Sequence, residues 1–210
     1  MNKKIIALIV AIIVIALLGF GIVMMSSKSN NETSSNTNEK NIINNNINKQ
    51  DKTNDKKNAV IYFSASGTTK TVAEIISDET GAELVEIVPK EKYTSADLNW
   101  NDSNSRTSIE CNDSKSRPEI ANAIDVEKYD VIYLGYPIWW GDVPHIILTF
   151  MDTYKLDGKT IIPFCTSGGT GISGSMNTLK KYNKNVNWIE GKRLSSSKNE
   201  IKNWINSLNY

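Results

Sequence analysis

The stretch VIYFSASGTTKTVAEII, residues 60–76, changes period in its middle. Val60 to Phe63 form a short apolar run of strand type. Val72, Ala73, Ile75 and Ile76 recur at helical spacing, and Gly81 stands where such a helix would end. Between the two lie Ser64, Ala65, Ser66, Gly67, Thr68 and Thr69. A loop of glycine and hydroxyl residues that leads from a strand into a helix aims backbone N–H groups and hydroxyls at one spot, and the positive end of the helix dipole favours an anion there. The segment therefore predicts a strand, a phosphate cradle and a helix. The plainer reading is a polar turn with an N-cap, the commoner use of such residues. No Arg or Lys falls within the loop, so an anion would be held by neutral donors, with Lys70 just outside in solvent. There is no Gly-Lys-Ser/Thr of a P-loop and no Asp where a receiver domain needs its phosphoacceptor.

Outward from this stretch the alternation continues. Leu84 to Val88, Val131 to Leu134, Thr160 to Cys165 and Val186 to Ile189 read as four further strands. A helix that Asp142 can cap and Pro144 can enter at its first turn follows the third. Ile172 to Tyr182 form the next, and the last opens on the capping-box pattern Ser197-x-x-Glu200. The connection 89–129, ending near Arg117-Pro118, shows no clear helix and exceeds an ordinary loop, so it is long enough to cover a ligand, with Tyr93 and Trp100 as contact or satellite packing. Five strands alternating with helices predict an α/β fold with a parallel sheet covered on both faces. Pro163 lies inside the fourth strand, where it removes a ladder donor, and predicts a short or bulged strand.

Open parallel sheets bind ligands at the carboxyl ends of their strands, where strand order reverses. Three strand ends are chemically unusual: SASGTT at 64–69, GYPIWWGD at 135–142 and TSGGTGISG at 166–174. Two adjacent tryptophans between Pro137-Ile138 and Gly141-Asp142 are poorly placed for core packing. The run GTGISG is also a literal G-x-G-x-x-G, with Glu190 where a dinucleotide fold has its ribose acid. Only one further helix follows it, so the second half of such a fold is missing. His145, the single histidine, is expected half exposed in a first helical turn without a chemical role. Cys111 and Cys165 have no metal-type spacing, and a disulfide between them is the alternative to two free thiols.

The N-terminal quarter has a different composition. Ile5 to Met25 is a run of 21 residues without a charge. About 20 apolar residues in a helix cross the hydrocarbon core of a bilayer. The expectation is an uncleaved membrane anchor over residues 1–25, the competing reading being a cleaved signal peptide. Lys3 and Lys4 crowd its short side, which places the N-terminus inside and the rest of the chain outside the cell membrane. Residues 26–57, rich in Asn, Ser, Thr and Lys, carry too little apolar surface to order themselves and read as a disordered tether with a reach on the order of 30 Å. Residues 58–210 form the folding domain. It carries 16 basic and 19 acidic residues, 16 − 19 = −3, which argues against a nucleic-acid partner.

Residue by residue, the loops resemble those of the flavodoxin family, whose phosphate loop S/T-x-S/T-G-x-T appears as Ser64-Ala65-Ser66-Gly67-Thr68-Thr69. YPIWWGDVP and GKTIIPFCTSGGTG are similar to the corresponding loops of a flavodoxin-like branch common in anaerobic bacteria, so the resemblance covers nearly all of 58–210. It implies a doubly wound five-stranded sheet of order 2-1-3-4-5 and FMN as cofactor. Ser64, Ala65, Ser66, Gly67, Thr68 and Thr69 would hold the phosphate. Pro137, Ile138, Trp139 and Trp140, with Thr166, Ser167, Gly168 and Gly169, would border the isoalloxazine, one tryptophan stacking on it. The implied function is electron transfer, tethered to the membrane, to a redox partner protein or small-molecule acceptor. An FMN-dependent NAD(P)H:quinone or flavin reductase is the alternative, and a redox-dead binding module the second alternative.

Overall fold

The computed structural model describes residues 57–210, so the expected anchor and nearly all of the tether lie outside the described residues. Among the described residues no helix is long and apolar enough to cross a membrane.

The opening stretch folds as its periods dictate. Strand β1 (Asn58–Tyr62) is buried from Ala59 onward, and helix α1 (Thr68–Thr80) runs between two left-handed glycines, Gly67 at φ 91° and Gly81 at φ 69°. Val72, Ala73, Ile75 and Ile76 face the core, as the 3.6-residue period requires. The chain continues through β2 (Glu83–Glu86), α2 (Arg106–Asn112), β3 (Val131–Pro137), α3 (His145–Thr153), β4 (Thr160–Thr166), α4 (Ser173–Tyr182), β5 (Asn187–Trp188), β6 (Lys192–Arg193) and α5 (Lys198–Ser207).

The strands pair in parallel in the order β2-β1-β3-β4-β5, with β6 also on β4. This is the expected order. Two clusters of buried side chains flank the sheet. One sets Val60, Tyr62, Tyr133, Ile162 and Phe164 against Val72, Ile76, Ile201 and Trp204 of α1 and α5. The other sets Ile61, Ile132, Leu134 and Ile161 against Ile147, Phe150 and Leu179 of α3 and α4. With both faces covered, the central strands need no polar alternation, and each fully buried Ile, Leu or Val contributes roughly 1.5–3 kcal/mol.

Pro163 acts differently from expectation. Strand β4 is regular over seven residues, with Pro163 in register opposite Leu134 of β3. The carbonyls of Ile161 and Cys165 accept from Ile189 and Leu194 on the far side, whereas the Thr166 carbonyl accepts from Ile138 on the β3 side. Alternation along the strand therefore turns the ring nitrogen of Pro163 away from β3. The missing donor interrupts the neighbour instead. The predicted fifth strand shortens to β5 opposite Thr160 and Ile161, and β6 resumes opposite Phe164 and Cys165. The crossover between them passes close enough that a Cβ on Gly191 would lie 2.6 Å from the Pro163 carbonyl oxygen.

Two further expectations are corrected. The connection 89–129 contains a helix, α2, whose N-cap Ser105 accepts from the Ser108 N–H at 3.3 Å. Its first turn holds only polar and charged residues, so apolar periodicity gives no signal. Asp142 does not cap α3; its carboxylate accepts from Val143 N–H and from Thr178 Oγ1, and Pro144 occupies the N-cap position. Of the two readings for the cysteines, the structure has Cys111 and Cys165 free.

Candidate functional site

Three loops converge at the carboxyl ends of β1, β3 and β4, and each is shaped by its own local chemistry. After β1, the Ser64 hydroxyl accepts the Gly67 N–H at 3.1 Å and closes the turn, and Gly67 takes the left-handed conformation that starts α1. The first turn of an α-helix leaves N–H groups without intrahelical partners. No side chain caps α1, so the N–H groups of Thr68, Thr69 and Lys70 remain available. Ser66, Gly67 and Thr68 are exposed at this terminus, and the Ser66 and Thr68 hydroxyls lie 3.4 Å apart. Thr69 is turned inward and buried, its hydroxyl 2.8 Å from that of Thr166 at the end of β4. That bond ties the first loop to the third. Lys70 is in solvent, 4.0 Å from Glu74.

After β3, Trp139 to Asp142 form a two-residue turn with reciprocal backbone bonds, Trp139 N–H to Asp142 C=O at 3.0 Å and Asp142 N–H to Trp139 C=O at 2.9 Å. Both central residues have positive φ, 49° at Trp140 and 82° at Gly141, which defines a type I′ turn. Such turns ordinarily take Asn-Gly. Trp140 is the one non-glycine residue at positive φ among the described residues, and its side chain is 47% exposed. A bulky residue held in that region costs roughly 1–3 kcal/mol, a penalty that clusters at ligand sites. The two tryptophans are thus separated by role. Trp139 packs inward, edge-on to Phe63 at 5.6 Å and Tyr93 at 5.2 Å. Trp140 presents its indole outward.

The connection 89–129 supplies the wall behind Trp139. The Tyr93 hydroxyl donates to Glu110 at 2.7 Å, Arg106 Nε donates to the other oxygen at 2.6 Å, and the guanidinium carbon lies 4.0 Å from the Tyr93 ring centre. Burial first, and the bond to Glu110 second, push the Tyr93 hydroxyl far above its usual pKa, so it stays a neutral donor. From this clamped segment Leu98, Trp100 and Thr107 reach a cleft of about 450 Å³ that Ala65, Ser66, Ile138 and Trp140 also line. A second cleft of about 490 Å³ shares Ser66, Pro137 and Ile138 and extends to Ser167, Gly168 and Arg193.

The structure therefore brings Ala65, Ser66, Thr69, Pro137, Ile138, Trp139 and Trp140 to the first cleft and Ser66, Thr68, Pro137, Ile138, Thr166, Ser167 and Gly168 to the second, while Ser64, Gly67 and Gly169 belong to the same loops without lining either. Thr69, Thr166 and Trp139 also brace the loops from within. The third loop is held by its own bonds, with the Gly169 N–H donating to Ser167 Oγ at 3.3 Å. The dinucleotide reading of GTGISG finds a packing explanation. A Cβ on Gly174 would sit 2.6 Å from the Gly141 carbonyl oxygen, so this glycine lets α4 approach the tryptophan turn, and Glu190 lies in the crossover between β5 and β6. His145 lines neither cleft; burial first and Arg117 second lower its pKa, and it is half-buried at the start of α3. Trp100, 73% exposed, takes the first of the two readings the sequence left open for it, a place on the cleft, whereas Arg193 was not foreseen as a site residue. The length of the 89–129 connection was the signal for Trp100, and none existed for Arg193.

Comparison with known proteins agrees with this geometry. The flavodoxin family profile matches residues 57–208. A candidate flavoprotein from Bacteroides eggerthii is 45% identical, covering 71% of this chain and 96% of its own, with a TM-score of 0.69. Another from Bacteroides uniformis is 42% identical, covering 72% and 99%, with a TM-score of 0.70. A flavoprotein from Lactobacillus acidophilus, solved in complex with FMN, is 28% identical, covering 71% and 99%, with a TM-score of 0.56. A search of curated proteins finds no significant match. With its doubly wound sheet, its hydroxyl-rich first loop and a family match over nearly the whole folded region, the chain belongs to the flavodoxin family.

Proposed function

We propose that the protein binds FMN at the three-loop rim and transfers electrons through it, held at the cell membrane by its N-terminal segment with the domain outside. The observation that carries the reading is the uncapped start of α1, where Ser66 lines both clefts, the strained, outward Trp140 lining the first and Thr68 the second. The residues present fit that cofactor. A phosphate matches free N–H groups and hydroxyls at a helix N-terminus, and a planar ring matches an exposed indole over an apolar wall. FMN, when bound, supplies the one- and two-electron chemistry.

The chain's own residues do the rest. Ser66, Thr68 and the first-turn N–H groups of α1 hold the phosphate. Trp140 offers its ring face, and Ile138 with the Phe63–Tyr93–Trp139 group behind it keeps water from that side of the cleft. Backbone groups of the 166–169 loop border the ring edge, and the Thr69–Thr166 bond fixes the distance between the phosphate loop and that edge. An apolar wall without a lysine or arginine of its own disfavours added negative charge on the ring, which lowers the potential at which electrons are accepted.

The test is the visible spectrum of the purified full-length protein, followed anaerobically. Yellow protein that dithionite bleaches and NAD(P)H alone leaves coloured supports an electron carrier. Rapid bleaching by NAD(P)H points to the reductase. Colourless protein that takes up no FMN sinks both and leaves the redox-dead module.

A further inference from the structure

The chain has three arginines. Arg106 is paired with Glu110, and Arg117 with Asp152 at 2.7 Å. Arg193 enters none of the ion pairs among the described residues. Glu200, the carboxylate close enough to feel it, is engaged elsewhere, accepting from the Ser195 N–H at 3.3 Å and the Ser195 hydroxyl at 2.6 Å. Arg193 is exposed, sits on β6 opposite Cys165 near the carboxyl end of β4, and lines the 490 Å³ cleft together with Ser66 and Thr68. Its position follows from Pro163, which interrupts the last strand and lets β6 resume beside the end of β4.

From this arrangement we infer that Arg193 is the cation that holds the phosphate monoester of the flavin, making the site selective for FMN over riboflavin. The inference rests on the FMN reading given above. A phosphate monoester is close to a dianion at neutral pH. Neutral donors from the 64–69 loop satisfy its oxygens but leave its charge uncompensated, and Lys70 points to solvent beside Glu74. A guanidinium without a carboxylate partner, on the same cleft, supplies the missing charge through charge-assisted hydrogen bonds. The sequence motif alone gives a neutral cradle; the split strand adds a positive side to it.

The experiment titrates FMN and riboflavin, by quenching of flavin fluorescence, into full-length protein freed of flavin and into Arg193→Gln and Arg193→Lys. The expected result is a weakening of FMN binding by about 10-fold in Arg193→Gln, with riboflavin binding unchanged and Arg193→Lys retaining part of the preference. Added salt should erode the FMN preference of the native protein more than that of Arg193→Gln. Unchanged riboflavin binding doubles as the control for folding. Equal loss for both flavins, or no loss for FMN, overturns the role of Arg193 while leaving FMN binding intact. Failure of the native protein to bind FMN overturns the cofactor reading and this inference together.

Discussion

At the scale of single residues, Trp140 is where local preference and the proposed function conflict. Asn is the residue a type I′ turn prefers at that position. Trp140→Asn is expected to stabilise the flavin-free protein by about 1 kcal/mol, because a left-handed conformation costs Asn little. The same change should weaken FMN binding through loss of the indole face. Thermal melting of the flavin-free protein beside a flavin titration checks both signs, and a variant that loses stability would show that Trp140 packs more than it strains. Thr69 carries the opposite expectation. Removing its hydroxyl in Thr69→Val leaves Thr166 Oγ1 buried without that partner and should destabilise by about 1–3 kcal/mol, read as a lower denaturation midpoint. The hydroxyl-rich loop at the start of a helix was legible in the sequence. That one of its threonines is a brace was not, since Thr69 and Thr166 are 97 residues apart and meet only across the sheet.

At the scale of elements, the split last strand and the last helix give the sharpest expectations. Gly191→Ala forces the new methyl against the backbone oxygen of Pro163, and the crossover must move. Overpacking of this kind costs about 1–3 kcal/mol. Displacement of β6 should also lower FMN selectivity, whereas a neutral result in both readouts would mean that the crossover yields freely. Helix α5 begins on Ser197, which accepts the Glu200 N–H at 3.4 Å, as the capping box predicts. The reciprocal half differs: Glu200 reaches past Ser197 to Ser195. The Ser195 hydroxyl above all, helped by the Ser195 N–H and the cations Lys192 and Arg193, holds the Glu200 carboxyl below its usual value of 4.5 against the opposing effect of burial. A depressed pKa stabilises the folded state above the unfolded value and the contribution is lost as pH falls through the folded one. Glu200→Gln should therefore cost about 1 kcal/mol at neutral pH and progressively less below 4.5, as urea denaturation across pH would show.

At the scale of the molecule, the folded region carries a covered sheet and two clusters of buried side chains of its own. Residues 57–210 produced alone are expected to melt in one cooperative transition. Saturating FMN should raise that midpoint, since a ligand at 100 times its dissociation constant adds about 2.7 kcal/mol. A fragment that is aggregated or melts without cooperativity would show that residues 1–56 contribute to folding. The membrane proposal is separate and is tested by protease added to intact cells, which should release the domain if it lies outside. Protection until the cells are opened would place it in the cytoplasm.

The sequence by itself determined the α/β class, the strand order through its resemblance, and the three loops that meet at the site. Those signals are local: apolar runs of strand length, helical spacing of Val72 to Ile76, and small hydroxyl residues between them, each written within one or two turns of chain. The tertiary structure alone decided which tryptophan faces outward, because Phe63 and Tyr93 claim Trp139 from segments distant in sequence. It decided that Pro163 breaks its neighbour rather than its own strand, because only the pairing shows which way the ring nitrogen points. And it decided that Arg193 shares a cleft with Ser66 and Thr68, because a sheet brings strand ends together irrespective of their separation along the chain.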